Sequence, residues 1–146
     1  MDHIEFVYTL GMTDEEIEKR LQTETAGVLS LADEGRAYGV PVSHHYDGES
    51  LFFRLGDDDH SKKLEFVETT KEACFVLFGV DGDDSWSILV TGTLSELSGD
   101  ERKEFDAATI NDWFGSFRVF DEAIDEIELT LFEMEISSVT GRKTGK

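Results

Sequence analysis

Cysteine and proline are nearly absent from this sequence of 146 residues, which contains one of each. Because Cys74 is the only cysteine, no internal disulfide can form, and zinc sites built on two or four cysteines are excluded. This usage is typical of a reducing compartment, so we expect a cytoplasmic protein. A chain of this length buries roughly 70% of its unfolded surface, which is enough for one domain over residues 1–146 without such cross-links.

Long apolar runs are also lacking. No stretch approaches the ~20 residues that a helix needs to cross a bilayer. The segment 1–10 has two acids and neither lysine nor arginine, so we do not expect a signal peptide. The glycine pattern G-x-G-x-x-G is missing as well, which argues against a dinucleotide-binding fold.

Basic residues are scarce, with 13 Lys and Arg against 33 Asp and Glu, and the formal net charge is −20. Duplex DNA and anionic membranes would be repelled, so we expect neither as a partner. Aromatic residues make up 11%, which indicates a folded chain. Since acids are spread along the whole chain and ~1 M salt shortens the screening length to ~3 Å, we expect a halophilic protein; an acidic surface for a basic partner is the alternative.

Apolar alternation and turn signals predict about six strands and two or three short helices. The strands are expected at 26–32, 37–46, 50–55, 73–80, 86–97 and 127–136. Asp47-Gly48 is a strong hairpin signal between two of them. Because the strands follow one another mostly in hairpins, we predict a mainly β fold, a small antiparallel barrel with peripheral helices, rather than a doubly wound α/β fold.

Capping signals mark the helices. Thr13 and Glu16 form a capping-box pattern, Ser61 can cap a short helix, and a second box begins at Ser98. In the last strand the apolar positions change face after Leu131. That change predicts a bulge or a strand that serves two surfaces.

Ser61-Lys62-Lys63 is the most distinctive candidate site. Unlike the other adjacent basic pairs, this one follows a glycine-bearing loop and begins a helix. Free N–H groups and the helix dipole at such a start favour phosphate. A solvated helix start is the alternative, and the carboxylates of 57–59 would repel phosphate unless they point away.

The remaining chemistry-bearing residues give weaker signals. His44 and His45 are adjacent on a predicted strand and therefore face opposite sides, so they do not form one metal site. The segment 57–60 resembles a metal-binding cluster in composition only, and we expect no metal. Ser87 lacks a nucleophile-elbow pattern, and Cys74 lies in an apolar run typical of an inert buried thiol. No catalytic residue is identified in this way.

Several segments, in their order and spacing, resemble the FMN-binding split-barrel family of pyridoxamine 5′-phosphate oxidase-like proteins, closest to its nitroimidazole-resistance-type branch. They are GVLSL at 27–31, YGVPVS at 38–43, YDG at 46–48, LFF at 51–53, SKKL at 61–64, SILVTG at 87–92 and ISSVTGRK at 136–143. The resemblance implies a six-stranded antiparallel split β-barrel. It further implies a homodimer with FMN in clefts at the interface.

The resemblance also implies a set of cofactor-binding residues. The flavin ring would lie along the second strand, the phosphate at the helix start, and further contacts would come from the third strand and from one serine. The residues are Val40, Pro41, Val42, Ser43 and His44 for the ring; Ser61, Lys62 and Lys63 for the phosphate; Phe53 and Arg54 for the ribityl phosphate; and Ser87. Lys62 stands where arginine is commoner, which keeps the charge but loses the bidentate fork.

The expected function is that of an FMN-dependent oxidoreductase, passing electrons from NAD(P)H to a small acceptor. The alternatives are a non-catalytic flavin-binding or storage module, the same fold using a deazaflavin or haem, and a barrel without a cofactor. His44 is the best candidate for proton delivery, with a packed strand residue as its alternative. True pyridoxamine 5′-phosphate oxidase activity is not expected, because the basic C-terminal substrate motif is missing.

Overall fold

The computed structural model describes residues 8–57, 62–97 and 128–145. Ser61 and the helix predicted from Ser98 lie outside these residues. The elements are β1 (Tyr8–Gly11), α1 (Asp14–Thr23), β2 (Ala26–Asp33), β3 (Arg36–Tyr46), β4 (Ser50–Asp57), α2 (Lys62–Thr69), β5 (Ala73–Asp81), β6 (Asp84–Glu96) and β7 (Glu128–Gly145).

The strands form one antiparallel sheet in the order β1-β7-β4-β3-β2-β5-β6, and β6 also pairs with β7. That last pairing closes strands β2 to β7 into a six-stranded ring, with β1 added to the end of β7. The predicted mainly β, six-stranded antiparallel split barrel is therefore confirmed. Strand β1 was not predicted. Neither of the two helices within the described ranges is long and apolar enough to cross a membrane.

The hairpins arise from the turn residues. Gly35 and Gly48 have φ angles of 82° and 101°, which glycine adopts without steric cost. The Asp47 carboxylate accepts hydrogen bonds from the backbone N–H groups of Glu49 and Ser50, at 2.8 and 2.7 Å. This side chain fixes the turn between β3 and β4, as the sequence pattern predicts.

Alternate residues of the strands fill the barrel. The rings of Phe53 and Phe75 meet edge to face, with centroids 4.9 Å apart, near the middle of this core. The other largest fully buried side chains are Leu29, Leu51, Leu55, Leu77, Ile88, Leu131, Met134 and Val90.

Strand β7 is much longer than the predicted strand, because it continues to Gly145. Phe132 and Met134 belong to the core cluster, whereas Leu131 is buried without being part of that cluster. The register with β6 shifts by one residue at Ser137, which forms a bulge. At the predicted change of face, Leu131 and Phe132 pair with β4 without a shift of register, so the bulge lies six residues further along than the sequence pattern placed it. The strand does serve two surfaces, as the same pattern predicted.

Helix α1 begins with the predicted capping box: the Glu16 N–H donates to Thr13 Oγ1 at 3.2 Å, and the Thr13 N–H donates to Glu16 Oε1 at 3.1 Å. Lys143 of β7 lies 2.6 Å from Glu16 Oε2, and this contact is the main reason why the Glu16 pKa falls to about 2. The Tyr46 hydroxyl donates to Glu18 Oε1 at 2.7 Å. These contacts hold α1 against the barrel.

Helix α2 packs on the β2–β3 hairpin. The rings of Tyr38 and Phe66 stack at 5.2 Å, and Thr70 Oγ1 bonds both the N–H and the carbonyl of Ala32 at 3.1 Å. The C-terminal part of α2 is thereby fixed to β2 and β3.

Candidate functional site

An opening in the barrel wall lies between β3 and β4. The two strands pair from Tyr46 and Leu51 as far as Ser43 and Arg54. Beyond that rung, β3 continues along β2 and β4 continues along β7, with no pairing between them. We refer to the gap between 39–42 of β3 and 55–57 of β4 as the opening.

Pro41 explains why the ladder ends there. The His44 N–H donates to the carbonyl of Thr25 at 3.1 Å, so the even-numbered residues of β3 direct their backbone groups towards β2. The odd-numbered residues face β4, and the next one after Ser43 is Pro41. Because proline has no N–H, it cannot continue the ladder. The Pro41 carbonyl and both backbone groups of Gly39 therefore face the opening.

Ser43 places a hydroxyl beside the opening. Its side chain is 4% exposed, and its Oγ has no hydrogen-bond partner within the described part of the chain. Arg54 is directly opposite on β4 and is half-buried. A buried hydroxyl without a partner costs about 1–3 kcal/mol, so a ligand group that bonded it would recover that cost.

Val40, Val42 and His44 point into the core rather than towards the opening, and all three side chains are buried. His44 Nε2 lies 3.0 Å from the carbonyl oxygen of Leu21, and its Nδ1 has no partner among the described residues. Burial lowers the His44 pKa, and the bond to Leu21 opposes that shift. In the structure His44 is therefore a packed strand residue, which the sequence analysis gave as the alternative to proton delivery.

Phe53 is likewise a core residue. It is fully buried, and its backbone pairs with His44 on one side and with Phe132 on the other. Of the two predicted β4 residues, only Arg54 has its side chain on the outside of the barrel, next to the opening.

The predicted phosphate residues lie at the start of α2. Lys62 begins this helix five residues after Asp57, the last residue of β4, a span of at most about 18 Å. The side chains of Lys62 and Lys63 are outside the described part, as is Ser61. The helix start therefore lies within that distance of the end of β4 that borders the opening.

Ser87 is not brought to the opening. It lies on β6 between Phe78 and Arg142, and β6 is three strands from β3 in either direction around the ring. Within one chain, Ser87 and Ser43 do not share a site. Among residues 8–57, 62–97 and 128–145, no group of three or more His, Cys, Asp or Glu side chains could hold a metal ion.

An uncharged surface, which sequence reasoning missed, covers the outside of β2, β5 and β6. Pro41, Val28, Val76 and Leu89 are neighbours in register across four strands. The next row holds Gly39, Ser30, Cys74, Thr91 and Ser138. We refer to these two rows as the outer face. The sequence did contain a signal for this surface, since β2 and β5 carry apolar residues on both sides. A strand with one side in water alternates between apolar and polar residues, whereas a strand covered on both sides does not.

Comparisons with known proteins agree with this geometry. A family model described as pyridoxamine 5′-phosphate oxidase matches residues 13–143. No curated protein matches the chain.

Three solved structures illustrate the fold. A FAD-binding protein from Mesorhizobium loti has a TM-score of 0.70 at 18% identity, over 97% of this chain and 100% of the other. A proposed 5-nitroimidazole antibiotic resistance protein from Bacteroides thetaiotaomicron has a TM-score of 0.69 at 18% identity, over 99% and 96%. A FAD and heme binding protein from Mycobacterium smegmatis has a TM-score of 0.70 at 14% identity, over 92% and 72%.

Proposed function

Because this chain belongs to the pyridoxamine 5′-phosphate oxidase family, we propose that it binds a flavin, FMN, at the opening between β3 and β4. The observation that carries the proposal is the buried Ser43 hydroxyl, which has no partner among the described residues and lies where the β3–β4 ladder ends. A ligand that bonds this hydroxyl satisfies a polar atom that is otherwise buried at a cost.

The opening offers the polar groups that a flavin ring needs. The pyrimidine edge of a flavin carries both acceptors and a donor, and the backbone of Gly39, the Pro41 carbonyl and the Ser43 hydroxyl offer matching groups. Arg54 and the start of α2, with Ser61, Lys62 and Lys63, would hold the phosphate. Val40, Val42, His44 and Phe53 would support these groups from inside the barrel.

We further propose that the protein is an oxidoreductase that passes electrons from NAD(P)H to a small acceptor. A bound flavin supplies the hydride chemistry, and the protein supplies binding, orientation and electrostatics. Within the described part of the chain, the Ser43 hydroxyl and the backbone groups at the opening would bind and orient the flavin. The His44 ring would not take part, because it is buried in the core and bonded to the Leu21 carbonyl. A flavin-binding module without turnover is the competing function.

Spectroscopy on purified protein tests the proposal. Protein prepared in molar KCl and supplied with FMN should be yellow, and its flavin bands should bleach when NADH or NADPH is added without oxygen. Chromatography of the cofactor released from protein purified without added flavin distinguishes FMN from FAD, which two of the similar structures are named for. A colourless protein that takes up neither flavin overturns the proposal, and binding without bleaching identifies the module.

We also propose a homodimer that buries the outer face. In a chain of net charge −20, the two rows hold no carboxylate, and Leu89 is 45% exposed. An uncharged apolar patch of this kind is typical of protein interfaces.

We also propose that the protein is located in the cytoplasm, because a sequence with the single cysteine Cys74 is typical of a reducing compartment.

The mass in solution tests the dimer. Wild-type protein should have twice the chain mass of 16.4 kDa by light scattering, and Leu89→Asp should give monomers because it places a charge in the interface. Leu10→Asp is the matched control, since Leu10 is 50% exposed but lies on β1. A monomeric wild type, or a dimeric Leu89→Asp variant, overturns this part.

A further inference from the structure

Helix α2 relates the two parts of the proposed flavin site to each other. Its first residue is Lys62, at the helix start to which the phosphate is assigned, and the helix packs on β2 and β3. Strand β3 in turn carries the backbone groups of the opening, to which the flavin ring is assigned. The distance between the ring and phosphate positions therefore depends on how α2 is held against β3.

An aromatic stack joins α2 to β3 beside the opening. Tyr38 directly precedes Gly39, and its ring stacks on that of Phe66, with centroids 5.2 Å apart and 19° between the planes. Phe66 is buried, and it follows Lys62 by one helical turn, a rise of about 6 Å. Two rigid rings thus connect a residue next to the opening with a position one turn from the helix start.

The Phe66 ring has a second partner on the same β2–β3 hairpin. The Arg36 guanidinium lies 5.3 Å from the ring centroid, within the range of a cation–π contact. Arg36 is itself paired with Asp33, at 2.8 Å. These contacts favour one position of the Phe66 ring on the hairpin.

The hydrogen bonds of Thr70 alone do not fix the start of α2. Thr70 Oγ1 bonds the N–H and the carbonyl of Ala32, both at 3.1 Å, and so holds the end of the helix on β2. Lys62 lies eight residues earlier, about 12 Å along the helix axis. A rotation of about 10° around the Thr70 contact would move the helix start by about 2 Å, which is enough to break hydrogen bonds to a phosphate. Phe66 lies halfway between these points, where its stack with Tyr38 opposes such a rotation.

We propose that the Tyr38–Phe66 stack is a positioning element that sets the distance from the opening to the start of α2, so that one flavin reaches both with its ring and its phosphate. The inference rests on the proposed flavin binding and deepens it, because it makes the preference for a phosphorylated flavin depend on two uncharged side chains. Without the stack, the ring and phosphate positions both remain, but a single flavin does not bond well to both.

Titrations with FMN and with riboflavin, which lacks only the phosphate, test the proposal. At one fixed KCl concentration, wild type should bind FMN about tenfold more tightly than riboflavin, as measured by flavin fluorescence. Tyr38→Leu and Phe66→Leu should each weaken FMN binding about fivefold to tenfold, while riboflavin binding changes by less than about twofold. Tyr38→Phe keeps the stacked ring and should behave as wild type.

Val90→Ala is the control for a loss of stability alone. Its side chain is fully buried in the core on β6, so the substitution should lower the melting temperature without changing the ratio of the two affinities. If Tyr38→Leu and Phe66→Leu retain the wild-type preference for FMN, or weaken the binding of both flavins equally, the positioning role is overturned while flavin binding stands. A wild type that binds neither flavin overturns the proposed function as well. A wild type that binds both equally overturns the positioning role together with the phosphate assignment.

Discussion

Ser43 and Arg54 form the last rung of the ladder between β3 and β4, and beyond this pair the two strands separate. The residue that would form the next bond on β3 is Pro41, the only proline in the sequence. The Ser43 hydroxyl, which is buried without a partner among the described residues, therefore lies opposite Arg54 at the end of the ladder. The ladder ends there because Pro41 has no N–H to donate. The same residue that ends the pairing also leaves its carbonyl exposed at the opening.

Ser43→Ala should separate stability from flavin binding. The substitution removes a buried hydroxyl that has no partner within the described residues, so the flavin-free protein should be as stable as wild type or more stable. The affinity for FMN should fall about fivefold to tenfold, the effect of one neutral hydrogen bond. Thermal unfolding without flavin and a fluorescence titration with FMN measure the two effects. Ser95→Ala, at an exposed position of β6, is the control, and equal FMN affinity for both variants would contradict the assignment of Ser43.

Lys63→Ala should weaken FMN binding severalfold more than Lys103→Ala. Lys63 lies in the first turn of α2, where the helix dipole and a side-chain charge act together on a phosphate, whereas Lys103 has no assigned role. Both variants lose one positive charge, so the comparison removes the effect of net charge. FMN dissociation constants at a fixed salt concentration provide the measurement. Equal losses would show that the phosphate binds elsewhere.

The stability of the protein should fall as the pH falls below about 6.5, partly because of His44. Burial lowers its pKa from the ordinary value of 6.5, so below that pH the unfolded chain takes up a proton that the native protein does not. Free energies of unfolding between about pH 7.5 and 5.5 should rise with pH, by at most about 1.4 kcal/mol per pH unit from this residue. His44→Gln should flatten this dependence. His45→Gln, at a half-buried position, should flatten it less, and an unchanged slope in His44→Gln would contradict the assignment.

Gly92→Ala should destabilise the barrel by about 1–3 kcal/mol, the usual cost of overpacking. A Cβ on Gly92 would lie 2.2 Å from the carbonyl oxygen of Glu135, at the bulge between β6 and β7. Gly11→Ala is the control, because its Cβ would meet nothing within 4 Å. Urea denaturation measures both. Similar free energies of unfolding for the two variants would contradict the close approach of the β7 backbone to Gly92.

Molar salt should stabilise the fold. With 33 acids and 13 bases, the native surface repels itself in dilute buffer, and screening at about 2 M KCl removes most of that repulsion. The melting temperature should therefore rise between these two conditions. KCl is preferred to sulfate salts, which strengthen apolar burial in any protein. A melting temperature that does not change would contradict adaptation to salt.

Much of the local structure could be predicted from the sequence. The Thr13–Glu16 capping box, the Asp47 turn and the opposite directions of His44 and His45 follow from neighbouring residues and were predicted correctly. The extension of β7 to Gly145 was missed, because its polar, glycine-containing end forms a strand only through pairing with β6 and β1.

The sequence by itself determined a mainly antiparallel chain of hairpins, its acidic surface and the one proline that cannot extend a ladder. Only the tertiary structure decided that this proline lies at the opening, that Ser43 is buried there, and that Ser87 belongs to a distant strand beside Arg142. The physical reason is the range of the interactions. Turns and the side to which a residue points depend on close neighbours in sequence, whereas strand order and register depend on the closing of the ring between β6 and β7.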